Sequence, residues 1–272
     1  MPDNSRLLRV SMFAAGLAVT YAGFVLWVFP ARSKDLFTWD IQPPITAAYL
    51  GAMYATGTPL LFLVARARTS WLETRAVLPP FVSVSVGMLL ATLLHSDRFI
   101  WSSAVTWLWL ALYSIFPPLI VLLYVQHQRR VTAEPPVAVE IGAQFRAGAR
   151  ALAVPMAGLG LGLIVAPRTV DALWPWTLTP LTARAVGAWL VSIAVALVAV
   201  SRERDWRAVR LIAPQGILVT VLLLLGVVRF SDALDWADAR TWVYVGGLAV
   251  ALVGGIALYL SFESKLRRRV PS

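Results

Sequence analysis

The sequence predicts an all-α, polytopic integral membrane protein with eight transmembrane helices, arranged as two parallel repeats of four helices each. Three observations lead to this prediction. Of the 272 residues, 59% are hydrophobic and only 14% are charged, a composition typical of membrane proteins. Apolar stretches of about 20 residues recur along the chain, and each is long enough to cross ~30 Å of hydrocarbon as a helix. The third observation is an internal repeat.

The repeat is clearest between residues 71–107 and 206–242. A slide of 135 residues places 13 of these 37 positions on an identical residue, whereas roughly four are expected for so biased a composition. Within it, the segment His95–Trp101 falls on Phe230–Trp236. Upstream matches occur at a slide of 136, where Pro44 falls on Pro180 and Gly51 on Gly187. The chain is therefore predicted to be a tandem duplication.

The spans follow the apolar stretches in order. The first ends near Phe29, and the others are predicted at approximately 45–65, 76–95, 103–125, 148–166, 180–200, 211–228 and 240–262. The first stretch exceeds a signal-peptide core and no convincing cleavage site follows it, so we expect it to be retained. The first four-helix repeat is predicted over residues 1–126, a cytoplasmic linker over 127–147, and the second repeat over 148–272.

The orientation follows from the basic residues. Each repeat has an even number of spans, so both begin on the same side and are predicted to be parallel about an axis normal to the membrane. The N-terminal tail, the even loops and the C-terminal tail hold 17 of the 24 Lys and Arg residues, and the odd loops hold the other seven. The positive-inside rule then predicts cytoplasmic N- and C-termini in the cell membrane. We attribute the net charge of +10 to this topology and predict no nucleic-acid partner.

The predicted outer end collects the candidate ligand-binding residues, which are His95, Asp97, Arg98, Arg184 and Asp232. His95 is suited to proton transfer near neutral pH, with Asp97 as its partner and Arg98 as an anion contact. Arg184 lies about one turn inside the sixth span, where it either snorkels or pairs with Asp232, Asp171 or an anionic head group.

The duplication offers a structural alternative for this cluster. Ser96-Asp97 and Ser231-Asp232 are kept in both repeats, and each pair is expected to cap a short turn. His95 becomes Phe230 in the second repeat, and Arg98 becomes Ala233. The residues that differ between the repeats are therefore the stronger candidates for a function that only one half performs.

Two further sets of residues are predicted from the repeat. Six tryptophans are expected to anchor the protein at the membrane interfaces, namely Trp39, Trp101, Trp107, Trp176, Trp236 and Trp242. Pro117-Pro118 in the fourth span and Gly254-Gly255 in the eighth occupy nearly corresponding positions, and we predict that they break both helices beside a central cavity. A simple kink at the prolines and a packing surface at the glycines are the alternative.

Several kinds of chemistry are disfavoured by composition. The chain has no Cys and two His residues, and His95 and His127 are predicted on opposite sides of the membrane. No histidine- or cysteine-based metal site, haem or other cofactor is therefore expected, and only a surface cation site of carboxylates alone is left open. No span carries Asp or Glu at its middle, which disfavours ion-coupled pumping.

Three classes of function remain. The favoured expectation is binding or permeation of a small apolar or amphiphilic, lipid-like molecule from the outer leaflet. The first alternative is a structural or assembly subunit of a membrane complex, because no residue requires a chemical explanation. The second is a lipid-modifying enzyme that uses His95 and Asp97, although no catalytic motif is present. The expected partners are membrane lipids, and the sequence is also compatible with a membrane-protein partner or a homo-oligomer.

Overall fold

The computed structural model describes residues 3–269, and its long elements are eight α-helices. In chain order they are α1 (Arg6–Val28), α2 (Pro44–Ala65), α3 (Leu78–Leu94), α4 (Ala104–Arg129), α5 (Ala143–Val165), α6 (Pro180–Arg202), α7 (Ile212–Arg229) and α8 (Ala239–Arg269). With the short helix Trp71–Thr74 joined to α3, all eight are long and apolar enough to cross a membrane, which indicates an integral membrane protein. The predicted number of apolar helices is confirmed. Residues 1–2 of the predicted first repeat and residues 270–272 of the predicted second repeat lie outside the described residues.

The helix starts follow local signals in the sequence. At the beginning of α1, the Ser5 hydroxyl accepts a hydrogen bond from the backbone N–H of Leu8 at 3.2 Å. Pro44 and Pro180 occupy the first positions of α2 and α6. A proline is favoured there because the first backbone N–H groups of a helix have no partner within the helix.

The connection between α4 and α5 lies inside the predicted linker of 127–147 and contacts the second half of the chain. α4 continues to Arg129, and α5 already begins at Ala143. Between them, Val139 and Ile141 are buried. The backbone N–H of Ile141 also donates to the carbonyl of Arg204 at 2.8 Å. This connection is therefore a fixed part of the fold, because its buried backbone groups find partners.

The most extensive helix contacts are within two neighbouring pairs, α1 with α2 and α5 with α6. A glycine brings the backbones together in each pair. A Cβ added to Gly51 would lie 2.5 Å from the backbone nitrogen of Trp27, and one added to Gly187 would lie 2.6 Å from the carbonyl oxygen of Gly160. Small residues are the usual means of close helix contact in membranes. The pairs are then joined by α3 against α6 and by α7 against α2.

One end of the bundle, here called the basic end, contains the starts of α1, α3, α5 and α7 and the ends of α2, α4, α6 and α8. The opposite end, which carries Trp101, Trp107, Trp236 and Trp242, is called the aromatic end. At the basic end, Trp71 Nε1 donates to Gln128 Oε1, and Trp206 Nε1 donates to Glu263 Oε2, both at 3.2 Å. The donors and the acceptors of these two bonds are related by the same slide of 135 residues, so matching sequence positions make matching contacts.

The predicted helix breaks do not interrupt either helix. Pro117 and Pro118 lie inside the continuous α4, and Gly254 and Gly255 lie inside the continuous α8. The fixed φ of proline lies in the helical range, so a proline removes a hydrogen bond without ending a membrane helix. A Cβ on Gly255 would lie 3.3 Å from Ile217 Cγ1 of α7, so this glycine faces a neighbouring helix. The predicted breaks are therefore wrong as interruptions of α4 and α8.

Candidate functional site

Two similar turns precede α4 and α8 at the aromatic end. They are 3₁₀ turns at Ser96–Arg98 and Ser231–Ala233. Trp101 Nε1 donates to the carbonyl of Ser96 at 2.7 Å, and Trp236 Nε1 donates to the carbonyl of Ser231 at 2.9 Å. The tryptophans kept in both halves of the sequence therefore hold the backbone of these turns.

The structure contradicts the predicted capping of the short turns by Asp97 and Asp232, because neither 3₁₀ turn has a side-chain cap hydrogen bond. The helices that follow the turns are capped by other residues. The N-terminus of α4 is capped by Ser103, whose hydroxyl accepts from the backbone N–H two residues later at 3.2 Å. The N-terminus of α8 is preceded by Asp238, whose carboxylate accepts from the backbone N–H two residues later at 2.8 Å. The loops before α4 and α8 place these later residues at the helix starts, so the two repeated aspartates lie too early in the chain to reach them.

The predicted carboxylates lie at the surface. Asp97 Oδ2 lies 3.1 Å from Nε of Arg98, and both side chains are more than 70% exposed. The side chain of Asp232 makes no hydrogen bond or ion pair with any residue between 3 and 269. Exposed pairs of this kind contribute little stability because water screens them.

His95 and Arg184 form the one close contact among the predicted ligand-binding residues that joins the two halves. His95 ends α3, and NH1 of Arg184 on α6 donates to its Nε2 at 2.7 Å. Nε2 must then be unprotonated, so the imidazole is neutral. Partial burial and the positive charge of Arg184 lower the pKa of His95 below its ordinary value of 6.5. Arg184 thus meets an imidazole, and not the carboxylate of Asp232 or Asp171 that the sequence suggested.

This geometry weakens the enzymatic reading of the cluster. The predicted catalytic pair would need a hydrogen bond between His95 and Asp97. Within the described residues, the side-chain contact of His95 is with Arg184, and that of Asp97 is with Arg98. The five predicted residues therefore form two separate pairs and one isolated carboxylate.

Two of the six predicted interfacial tryptophans are inside the protein. Trp39 is 2% exposed and packs against Phe99 and Trp109, while Trp176 is 7% exposed and donates from Nε1 to Thr46 Oγ1 at 2.9 Å. The chain after α1 and α5 folds back over the bundle and carries these rings into its core. The remaining four, which are Trp101, Trp107, Trp236 and Trp242, are partly or largely exposed at the aromatic end.

A narrow cleft lies between α2 and α7 near the aromatic end. Its walls are formed by Trp27, Ile45, Tyr49, Trp176, Leu223, Gly226, Val227 and Tyr244, and its volume is about 10 Å³. This volume is about that of one water-sized site. The hydroxyls of Tyr49 and Tyr244 make no hydrogen bond with any residue in the described part of the chain. Tyr49 and Tyr244 could not be singled out from the sequence, because Tyr49 resembles any other neutral polar residue within a span.

The matching contact between α3 and α6 is closed. A Cβ added to Gly87 would lie 2.6 Å from Cβ of Ala188, so the absence of a side chain lets these helices touch. At a slide of 135, Leu222 of α7 occupies the position of Gly87. The α3–α6 contact is accordingly more extensive than the α7–α2 contact. The larger side chain of Leu222 provides a physical reason for a cleft on one side of the bundle.

Within residues 3–269, no group of three or more His, Asp or Glu side chains is arranged to hold a metal ion. No protein-family model, no curated protein and no solved structure matches the chain.

Proposed function

We propose that the protein binds a small amphiphilic, lipid-like molecule in the cleft between α2 and α7, and that the molecule enters from the leaflet at the aromatic end. The observation that carries the proposal is the lining of the cleft. Its walls are aromatic or aliphatic, and the two tyrosine hydroxyls are without protein partners. A polar group in an apolar environment is costly without a hydrogen bond. The hydroxyl or carbonyl group of an amphiphile would satisfy Tyr49 and Tyr244 while its chain packs on the rings.

Binding requires the cleft to widen, because about 10 Å³ holds only one water-sized group. The α7–α2 contact is less extensive than the α3–α6 contact, the other main helix contact between the halves, so separation costs less there. Arg229 at the end of α7 donates to the carbonyl of Val28 at 3.1 Å and holds the mouth closed. The arrival of the ligand would exchange this contact for contacts with the aromatic walls.

The proposal can be tested with a photoreactive long-chain alcohol in proteoliposomes that contain the full chain. Gly226→Leu should fill the cleft, since a Cβ there would lie 3.6 Å from the ring of Trp27, an ordinary contact that the longer side chain extends. Labelling of peptides that contain Tyr244 should fall roughly tenfold, which corresponds to about 1.4 kcal/mol of binding.

Gly216→Leu is the matched control for this experiment. Gly216 lies on the same helix, but a Cβ there meets nothing within 4 Å. Labelling should stay at the wild-type level in this variant. Equal labelling of both variants would show that the alcohol binds elsewhere on the protein.

The same proposal includes two parallel four-helix repeats in the cell membrane, with the basic end in the cytoplasm. Support comes from the matched tryptophan contacts at both ends and from the distribution of Lys and Arg. The chain has no cysteine, so single cysteines at Ser102 and Ala133 report the orientation directly. Ser102 should react with an impermeant thiol reagent from outside the cell, and Ala133 only after the membrane is opened. Reaction of both from one side would contradict the arrangement.

A subunit role is the second candidate, and the surface of α8 favours it. The most apolar stretch of this helix buries 0% of its residues within the protein. A neighbouring membrane protein or a second copy of the chain would cover this face. Extraction in a mild detergent should then recover a complex of defined stoichiometry, whereas a monodisperse single chain would exclude a stable partner.

A further inference from the structure

A larger cavity of about 280 Å³ lies at the basic end, between α3 and α4 of the first half and α6 of the second. It is distinct from the cleft of the proposed function, which lies near the opposite end of the bundle. Its volume is close to the lower limit of small-molecule pockets, roughly 300 Å³. The cavity therefore has room for a polar head group and the beginning of a hydrocarbon chain.

The acidic group of the cavity is already neutralised by the protein. Glu203 lines the wall, but both of its carboxylate oxygens are bound by Arg75, at 2.9 Å from Nε and 2.5 Å from NH2. NH1 of Arg75 lies 2.5 Å from the carboxylate of Glu134. All three nitrogens of the Arg75 guanidinium and both oxygens of Glu203 are therefore engaged, so neither group is left for a ligand. Glu134 is 55% exposed and does not line the cavity.

The remaining polar groups of the wall are hydrogen-bond donors. Arg202 makes no ion pair or hydrogen bond with any side chain between residues 3 and 269. Gln128 uses its Oε1 to accept from Trp71 Nε1 at 3.2 Å, which leaves its amide N–H groups for another partner. The hydroxyl of Tyr124 makes no hydrogen bond within the same range. A guanidinium, an amide and a hydroxyl together suit an oxygen-rich anion such as a phosphate ester.

The wall becomes apolar with depth. Along α6, the cavity is lined by Arg202 at the helix end and then by Ala199, Val198 and Val195 toward the middle of the span. Seven residues separate Val195 from Arg202, which is roughly 10 Å along a helix. The head group of a lipid in the leaflet at this end would meet Arg202, and its chain would follow the apolar part of the wall.

We infer that this cavity binds the phosphate head group of a phospholipid from the leaflet at the basic end, with one acyl chain along α6. The site joins the first half to the second, so an occupied cavity fills the space between α4 and α6. Arginine and phosphate form strong, charge-assisted hydrogen bonds, and the basic surroundings favour an anionic lipid.

Native mass spectrometry of the full chain in detergent, titrated with phosphatidylglycerol, tests this inference. The wild type should retain one tightly bound lipid per chain. Arg202→Gln should weaken its binding roughly tenfold, which corresponds to the loss of one charge-assisted contact. Arg204→Gln is the matched control, because Arg204 is exposed two residues later and does not line the cavity. Equal affinity of the two variants would overturn the inference.

Two further measurements are needed. One tests the position of the acyl chain independently of the head group, and the other distinguishes loss of lipid binding from loss of folding. Ala199→Leu narrows the apolar wall and should weaken lipid binding while Arg202 is intact; unchanged lipid binding in this variant would overturn the position of the chain. Melting temperatures of all variants identify any that fail to fold. Inorganic phosphate alone should bind at least tenfold more weakly than the lipid. Phosphate binding as tight as lipid binding would assign the cavity to a free anion and overturn the lipid occupant.

Discussion

Arg75 and Glu203 join the two halves of the chain through a two-bonded ion pair, with Nε to Oε1 at 2.9 Å and NH2 to Oε2 at 2.5 Å. Their side chains are only 12% and 11% exposed. In the second half, the residue matched to Arg75 is Arg210, which contacts Glu263 on α8 at 3.2 Å. One matched arginine therefore connects the halves, and the other stays within its own half.

We expect Glu203→Gln to lower the melting temperature strongly, because it leaves the buried guanidinium of Arg75 without its main partner. Breaking a buried ion pair from one side costs roughly 3–5 kcal/mol. Glu134→Gln is the control, since the side chain of Glu134 is 55% exposed and water replaces it easily. The double variant Arg75→Met/Glu203→Leu should be more stable than Glu203→Gln. If the double variant were the less stable of the two, an unpaired charge would not explain the loss.

The pair of His95 and Arg184 predicts a pH-dependent stability. Partial burial and Arg184 lower the pKa of His95 from 6.5 in the folded protein; Arg98 acts in the same direction and Asp97 in the opposite one. Above the ordinary pKa the imidazole is neutral in both the folded and the unfolded protein. The contribution of the His95–Arg184 contact to the free energy of unfolding is then fully present. As the pH falls through 6.5 and then through the folded pKa, the unfolded chain binds the proton first, and this stability is lost.

The measurement is the melting temperature of the wild type and of His95→Phe, which copies Phe230 of the second half. The difference in melting temperature between the wild type and this variant should become smaller as the pH falls from about 7.5 to about 5. All other titrating groups are common to both proteins, so they cancel in the difference. A difference that does not change with pH would mean that His95 holds its place by packing alone.

Much of the fold could be predicted from the sequence because helices in a membrane are set by local apolar length. The turns held by Trp101 and Trp236 also followed from the repeat, although the role of each tryptophan did not. The contact between His95 and Arg184 could not be predicted, because the residues are 89 positions apart and Phe230 offers no matching partner. The cleft depends on how closely α7 approaches α2. Leu222 stands where the first half has Gly87, and the effect of this difference on the helix distance is visible only in the packed structure.

The helix caps provide a direct test of a corrected assignment. Ser103→Ala should lower the stability of the protein by roughly 0.5–2 kcal/mol, because it removes the acceptor at the start of α4. Asp238→Ala should also be destabilising at the start of α8. Asp97→Ala and Asp232→Ala should leave the melting temperature close to that of the wild type, since both carboxylates lie outside these caps. A larger loss in the Asp97 variant than in the Ser103 variant would restore the original assignment.

Gly87 lies at the closed contact between α3 and α6, where it allows the two helices to touch. In Gly87→Ala, the new Cβ would lie 2.6 Å from Cβ and 3.2 Å from Cα of Ala188, so the helices must move apart. Overpacking of this kind typically costs about 1–3 kcal/mol. Gly158→Ala is the control, because Gly158 lies inside α5 and a Cβ there meets nothing within 4 Å. That control should be neutral or stabilising by up to about 1 kcal/mol, since alanine favours a helix over glycine. The measurement is the thermal unfolding of both variants. Equal changes in stability would mean that Gly87 does not set the distance between α3 and α6.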